Sequence, residues 1–170
     1  MTSSFMNRSL RLALMGLVLL ALAACNNMFS GNYFGPEVTG IVVYKADRKL
    51  YLYHGDEVLK VYAIDLGTNP VGAKQFEGDG KTPEGLYYIS HRNPRSRFHL
   101  SLGISYPNAQ DVAFATAQGK EPGGDIFIHG QSPYPTTKPD WTVGCIAVTN
   151  DQIDVIYAMV NPGTPIWIKP

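Results

Sequence analysis

Cysteine and charge are both scarce in this sequence. Two cysteines in 170 residues exclude a disulfide-stapled scaffold and a four-cysteine zinc centre. Charged residues make up 16% of the chain, below the norm of about 25%. Fourteen basic residues balance fourteen acidic ones, so no basic field is available to hold nucleic acid. No apolar run reaches the roughly 20 residues of a comfortable membrane-spanning helix. Internal repeats and low-complexity tracts are missing too, which excludes solenoids and arrays. What remains is a chain that is 45% hydrophobic, rich enough in apolar residues for a continuous core and of one-domain length.

The first 24 residues differ from the rest. Arg8 and Arg11 supply a positive start, and Leu12 to Ala24 is an uncharged apolar run ending in small residues. That order is the pattern of a secretory signal. Leu22-Ala23-Ala24-Cys25 resembles the bacterial lipobox, in which the cysteine is lipidated and becomes the new N-terminus. The expected organisation is a signal peptide over 1–24, a lipidated Cys25 with a tether over 25–37, and one folded domain over 38–170. A multiply acylated terminus anchors stably where a single chain is marginal. Fully extended, residues 26–36 reach at most roughly 40 Å, so the domain would stay near its membrane. Asn26 in place of Asp, by resemblance to known sorting rules, favours the outer membrane of a diderm host. The expected location is the cell envelope, facing the periplasm. Cleavage removes Arg8 and Arg11 and leaves Cys145 as the one thiol without a lipid or a disulfide partner.

From Gly40 the texture is β. Ile41–Tyr44, Leu50–Tyr53 and Val58–Leu66, separated by Asp47-Arg48 and Gly55-Asp56, predict an antiparallel meander. Glycines and prolines over 67–85 predict a long irregular loop. Leu86–Ser90 and Phe98–Leu102 are further strand candidates. Asn108 is a fitting N-cap for a helix over Ala109–Gln118, which Gly119 ends. Thr149 and Gln152 form a capping-box pair for a second helix, with Ile153, Ile156, Tyr157 and Val160 on one face. Pro165–Ile168 gives a last strand. The fold class read from these elements is α+β, β-rich, with two short helices. The alternating tyrosines at 44, 51, 53, 62, 87 and 88 read as sheet packing. His54 and His91 read as surface residues.

The chemistry concentrates between His129 and Cys145. Asp125–Gly130 reads as an apolar strand ending at the histidine, and Trp141–Val148 as a strand carrying the thiol. The loop between them can return the chain so that the two strands pair. An ordinary thiol is mostly protonated at neutral pH, and a histidine in reach can take its proton. Gly144 permits close backbone approach, and the Gly144 and Cys145 amides can face a developing oxyanion. The bland alternative is a buried structural cysteine beside an ordinary strand-end histidine. A zinc site of His129, Asp140 and Cys145 is a rival that no His-x-x-x-His or Cys-x-x-Cys spacing supports.

These segments together resemble the catalytic domain of L,D-transpeptidases (YkuD-like). His129-Gly130, followed across the loop by Thr142-Val143-Gly144-Cys145, is similar to that family's His and Ser/Thr-x-Gly-Cys motif. Thr82-Pro83-Glu84-Gly85-Leu86-Tyr87 resembles its Thr-Pro-x-Gly-x-Tyr segment. Ser105–Asn108 and Gly124–Gly130 are similar to its helix entry and its strand into the histidine. The resemblance covers about residues 40–169 and implies a mixed β-sheet or sandwich domain. It implies attack by Cys145 on a peptidoglycan stem peptide, at the L-centre before a terminal D-residue. His129 would act as base, oriented by the Gly130 carbonyl, and the acyl group would pass to an amine or to water. It implies no cofactor and no metal. The sequence departs from the wider family in carrying Ala147 where an arginine is usual. Asp140-Trp141 before the motif resembles a subgroup, some of whose members cleave lipoprotein–peptidoglycan links. The expected partners are stem peptides, a peptidoglycan-linked lipoprotein as the alternative substrate, and a membrane reached through Cys25. Arg95, Arg97, His99, Trp141 and Thr142 are the expected substrate contacts. Arg95, Arg97 or Lys81 are candidates for the missing cation. A lipoprotein that binds peptidoglycan without catalysis is the second class of function.

Overall fold

The computed structural model describes residues 33–136 and 138–170; the signal pattern, Cys25 and most of the tether lie outside the described residues. The meander forms as the alternation predicts. Strand β1 (Gly40–Tyr44) pairs antiparallel with β2 (Lys49–His54), and β2 with β3 (Glu57–Ala63). In β1 and β2 every second side chain turns inward: Ile41, Val43, Leu50 and Leu52 are all buried. Strand β3 stops at Ala63, short of the Leu66 expected from the sequence. The stretch after it leaves the meander and bridges the far end of the sheet, Asp65 to Ala147 and Gly67 to Thr142.

Strand β4 (Gly85–Ser96) is much longer than the five-residue segment expected. It bends at register shifts near Ile89–His91 and Asn93–Ser96, which is how Pro94 is accommodated inside a strand. Its first half pairs with β8 (Pro165–Lys169), and its second half with β5 (His99–Ile104). Strand β5 carries β6 (Phe127–His129), and β6 carries β7 (Ile146–Ala147). The order is β3-β2-β1-β8-β4-β5-β6-β7, a curled eight-stranded sheet.

Helix α1 (Ala109–Ala117) starts at Asn108, whose side chain accepts from the Gln110 and Asp111 amides. Helix α2 (Asn150–Met159) starts at Thr149 with the predicted Gln152 capping box. Its buried face is Ile153, Ile156, Tyr157 and Met159, and Val160 beyond it is also buried. This face packs against β5 and β6, where each fully buried aliphatic side chain contributes roughly 1.5–3 kcal/mol. Helix α2 thus braces the sheet behind β5 and behind β6, the short strand that ends in His129.

The long loop over 64–84 is pinned by buried charge. The Lys45 ammonium is 2% exposed and donates to Gly72 O, Thr82 O and Glu84 Oε1 at 2.7, 3.1 and 2.7 Å. Burial pushes the Lys45 pKa down, and the Glu84 carboxylate offsets part of this. Asp79 accepts three loop amides, from Gln75, Phe76 and Lys81. The loop is irregular in backbone but held at fixed points, and its Lys81 carbonyl lies against Gly144.

Candidate active site

The two strands expected to carry the chemistry do pair, but both are shorter than the sequence suggested. Asp125, at φ +54, breaks the first before Phe127. The second is confined to Ile146–Ala147 because the residues before it form a turn. In that turn Gly144 adopts φ +128, and Thr142 Oγ1 accepts from the Gly144 amide at 3.2 Å and donates to Cys145 O at 2.8 Å. A Cβ at Gly144 would stand 2.5 Å from Lys81 O, so only glycine fits.

Strands β6 and β7 run parallel, with Ile128 opposite Ile146 and His129 opposite Ala147. Cys145 is two residues before Ala147, so it shares a face with His129 and lies diagonally across from it. Strand geometry sets such Cα atoms roughly 8 Å apart, a gap that a thiol and an imidazole reach across. The two residues share the walls of both cavities at this edge. One, about 480 Å³, is lined by Asn93 and residues 95–98 of the β4–β5 hairpin with Ser101, Asp125 and Phe127. The other, about 300 Å³, is lined by Ser132, Pro133, Tyr134, Trp141 and Thr142.

His129 is 2% exposed and its orientation is over-determined. Its Nδ1 lies 2.7 Å from Gly130 O. A carbonyl only accepts, so Nδ1 carries the proton and Nε2 keeps its lone pair. The ring stacks on Phe98 at 4.5 Å between centroids, and the edge of Trp141 meets it at 5.6 Å. Gly130 is itself constrained: a Cβ there would meet Asn150 Oδ1 at 2.6 Å and Phe98 O at 2.7 Å. Burial pushes the His129 pKa down, and the bond to Gly130 offsets part of this. The half-buried Cys145 thiol donates to Asp125 O at 3.4 Å. Burial pushes the thiol up and the Asp125 charge adds to this; the Phe127 amide and Lys74 pull the other way. Both shifts favour a neutral resting pair, thiol and imidazole, rather than a preformed ion pair.

Trp141 is held by a network that the sequence did not disclose. Its indole N–H donates to Asp65 Oδ2 at 3.1 Å, and Asp65 Oδ1 accepts the Asp140 amide at 3.2 Å. The Asp140 carboxylate takes a forked bond from Arg48, with the shortest contact 2.7 Å, and accepts the Leu66 amide at 2.9 Å. Burial pushes the Asp140 carboxyl up, but Arg48 and the Leu66 amide outweigh it and hold it below the usual range. This carboxylate therefore serves the loop. The zinc grouping loses its third ligand, and among the described residues no cluster of His, Cys, Asp and Glu suits a metal.

The remaining expected residues divide. Arg95 and Arg97 line the larger cavity, and Arg97 the smaller one as well. Thr142 is buried; its hydroxyl braces the cysteine turn, although the residue borders the smaller cavity. His99 lies at φ +72 with Nε2 2.7 Å from Asp154 Oδ1 of α2, and it borders neither cavity. Lys81 borders neither; its carbonyl supports Gly144 instead. The oxyanion site of two amides expected from the sequence is not formed, because the Gly144 amide is turned to Thr142. Asp65, Arg48 and Phe98 are site-building residues that the sequence reading missed. Phe98 stood between Arg97 and His99, two of the expected substrate contacts, but nothing local linked Asp65 or Arg48 to a motif so distant in the chain.

A thiol and a tautomerically fixed imidazole in one cleft, on a curled β-rich sheet, define the catalytic domain of a cysteine-dependent enzyme. The profile of the L,D-transpeptidase catalytic domain (YkuD) matches residues 39–168, and the chain belongs to that family. It is 35% identical over 136 residues to the protein named L,D-transpeptidase YafK of Escherichia coli K12, covering 76% of this chain and 50% of that one. The chain thus spans about half the length of the curated relatives it matches. Among solved structures it is similar to the helical cell shape determining protein Pgp2 of Campylobacter jejuni. The TM-score is 0.61 at 26% identity, over 84% of this chain and 51% of that one. It is also similar to Bd1075 of Bdellovibrio bacteriovorus, with TM-score 0.58 at 28% identity, over 78% and 48%.

Proposed function

We propose that this domain modifies peptidoglycan stem peptides by acyl transfer through a Cys145 thioester. The observation that carries the reading is the His129 tautomer. With Nδ1–H fixed on Gly130 O, Nε2 is the free base, in the same cleft as the thiol. Cys145 Sγ attacks the carbonyl of the L-centre while its proton passes to Nε2. The Cys145 amide is the backbone donor at the oxyanion. Collapse expels the D-residue, whose amine takes the proton back from His129. An amine of a second peptide, or water, then attacks the thioester with His129 again as base. Because the resting pair is neutral, proton transfer accompanies attack rather than preceding it.

Transfer to an amine is the first reading, on the strength of the family. Hydrolysis of lipoprotein–peptidoglycan or stem-peptide links on the same acyl-enzyme is the second. It is favoured by Ala147, which is buried against the Asp65 backbone and offers no cation at the position where the wider family carries one. The sequence supports an exported, periplasm-facing protein anchored through lipidated Cys25, within tether reach of the wall. Remodelling of stem peptides there would bear on cell shape, the property named for Pgp2. The test is product analysis. The protein is incubated with disaccharide-tetrapeptide and with lipoprotein-linked muropeptide, each beside Cys145→Ala. Cross-linked dimers dependent on the thiol establish transfer; released lipoprotein or trimmed peptide without dimers establishes hydrolysis. No product from either substrate overturns the reading in favour of a non-catalytic wall-binding lipoprotein.

A further inference from the structure

The outer face of β3, β2, β1, β8 and β4 carries no helix. Helix α2 packs on β5 and β6, and α1 meets the inner side of β4, where Asp111 accepts the Tyr87 hydroxyl at 3.0 Å. On a half-exposed sheet the outward positions are ordinarily polar. Here the pairing aligns Val61, Tyr51, Val42, Trp167 and Leu86 in one row across the five strands. Trp167 is 52% exposed, and Val61 and Leu86 are exposed with it. The next row adds Val58, Tyr53, Pro165 and an exposed Tyr88. A notch of about 340 Å³ opens there, lined by Gly40, Tyr53 and Trp167. On the other side of the central row Lys49 and Lys169 flank Tyr44. The Lys169 ammonium lies 5.1 Å from the Tyr44 ring centre and 5.7 Å from that of Trp167. Neither lysine is in an ion pair among the described residues. None of these residues borders the two active-site cavities.

We propose that this face rests on the lipid bilayer that holds the acylated Cys25, with Trp167 and its neighbouring tyrosines in the headgroup interface. The inference rests on the reading of Cys25 as lipidated and adds which side of the domain meets the membrane. The chain enters the domain on this side: β1 starts at Gly40, and Thr39 and Gly40 both line the notch. Fully extended, residues 26–36 span at most roughly 40 Å, so an acylated Cys25 keeps the bilayer within reach. Phe34, on the stretch leading in, is 90% exposed. Tryptophan and tyrosine join an apolar body to a polar tip and collect at membrane interfaces. Lysines at the rim lay their stems over the rings and keep the ammonium in water. Asp56 and Glu57 in the turn at the opposite margin offset Lys49 and Lys169 in charge, so the attraction is apolar rather than electrostatic. A second copy of the chain fits less well. Five strands about 4.8 Å apart and three rows about 6.7 Å apart give a footprint of roughly 450 Å², against about 800 Å² a side in a stable interface.

The chain has two tryptophans, Trp167 on this face and Trp141 beside His129, so fluorescence reads the two ends of the sheet separately. The full chain is isolated from bacterial membranes, and the mass of its N-terminal peptide records acylation of Cys25. It is then reconstituted in phosphatidylcholine vesicles with plain or dibrominated acyl chains. Dibrominated lipid should quench the native emission by about a third to a half, since a ring at the headgroup–acyl boundary meets the bromines. Trp167→Phe should show almost no quenching, because only Trp141 remains. Leu86→Lys, which keeps both tryptophans, should lose most of the quenching, and added salt should leave the native quenching unchanged. Acylated Cys25 with Trp167 unquenched overturns the docking face and leaves the lipoprotein reading standing. Quenching that persists in Trp167→Phe places the contact elsewhere and overturns it too. A concentration-dependent dimer in sedimentation, abolished by Leu86→Lys and accompanied by no quenching, assigns the face to a second copy instead. Cys25 without acyl groups overturns the lipoprotein reading, and the docking face falls with it; the chemistry at Cys145 is untouched by any of these results.

Discussion

The two ends of the curled sheet are built by different rules. At one end β1, β2 and β3 pair in near-continuous register, and β1 and β2 carry alternating buried aliphatics. At the other end β6 and β7 are three and two residues long. The second end is fixed by side chains instead of ladders: Arg48 on Asp140, Asp65 on Trp141, Thr142 on the cysteine turn and Phe98 on His129. Regular pairing gives stability with little freedom in where a side chain points. A turn clamped by a few polar contacts sets a thiol and an imidazole on the walls of the same cleft. Stability and chemistry should therefore be separable by substitution.

The largest effect is expected at Cys145, the proposed nucleophile. Cys145→Ala should abolish product formation, a loss of about 10³-fold or more, while Tm moves by no more than a few degrees because the residue is half-buried. The opposite pattern is expected from Leu52→Ala in the regular end. A fully buried leucine leaves a cavity worth about 2–5 kcal/mol in denaturant unfolding, with kcat of the folded fraction unchanged. Asp140→Ala removes a clamp and strands the Leu66 amide and Arg48. Unfolding should show a loss of about 1–3 kcal/mol, with a fall in kcat that Asp140→Asn only partly repairs. Asp65→Asn is a milder break. It should leave Tm nearly unchanged, lower kcat several-fold and shift the acid limb of the pH–rate profile, since Trp141 packs on His129. Equal kcat in Leu52→Ala and Asp140→Ala would erase the distinction between the ends.

The smallest effect is in the pH dependence of stability, and its sign follows from burial. Native His129 titrates below the usual imidazole range. Its contribution is complete above about pH 6.5 and is lost as pH falls from there through the lowered native value. Cys145 titrates above the usual thiol range. Its contribution is complete below about pH 8.5 and is lost as pH rises through the raised native value. Tm against pH should be flattest between these limits, and Cys145→Ala should remove part of the alkaline decline. Alkylation of Cys145 by iodoacetamide should likewise rise later with pH than for a free thiol.

The regular end was legible because its signals are local. Alternation over 41–53, the Asn108 cap and the Thr149–Gln152 box each fix their own element, and the strands and helices start within a residue of expectation. The thiol, the histidine and the orienting Gly130 carbonyl were also readable, because motif spacing and resemblance name them directly. The rest needed three-dimensional closure. Trp141–Val148 reads as a strand, yet positive φ at Gly144 and the Thr142 hydroxyl turn most of it into a loop. The Gly144 amide, offered by the sequence to the oxyanion, is taken by that same hydroxyl. His99 stands beside Phe98 in the chain but pairs with Asp154 of α2. Asp65 meets Trp141 only because the chain after β3 crosses to β7, and no local pattern announces such a crossing.

The most direct test of the account is to look for the thioester itself. The protein is mixed with a stem tetrapeptide, quenched in acid within the first turnovers, and its intact mass and peptide map are recorded. The account predicts a mass increase equal to the peptide lacking its terminal D-residue, located on Cys145, absent in Cys145→Ala and strongly delayed in His129→Gln. Turnover with no adduct on Cys145, or an undiminished rate in Cys145→Ala, would contradict it.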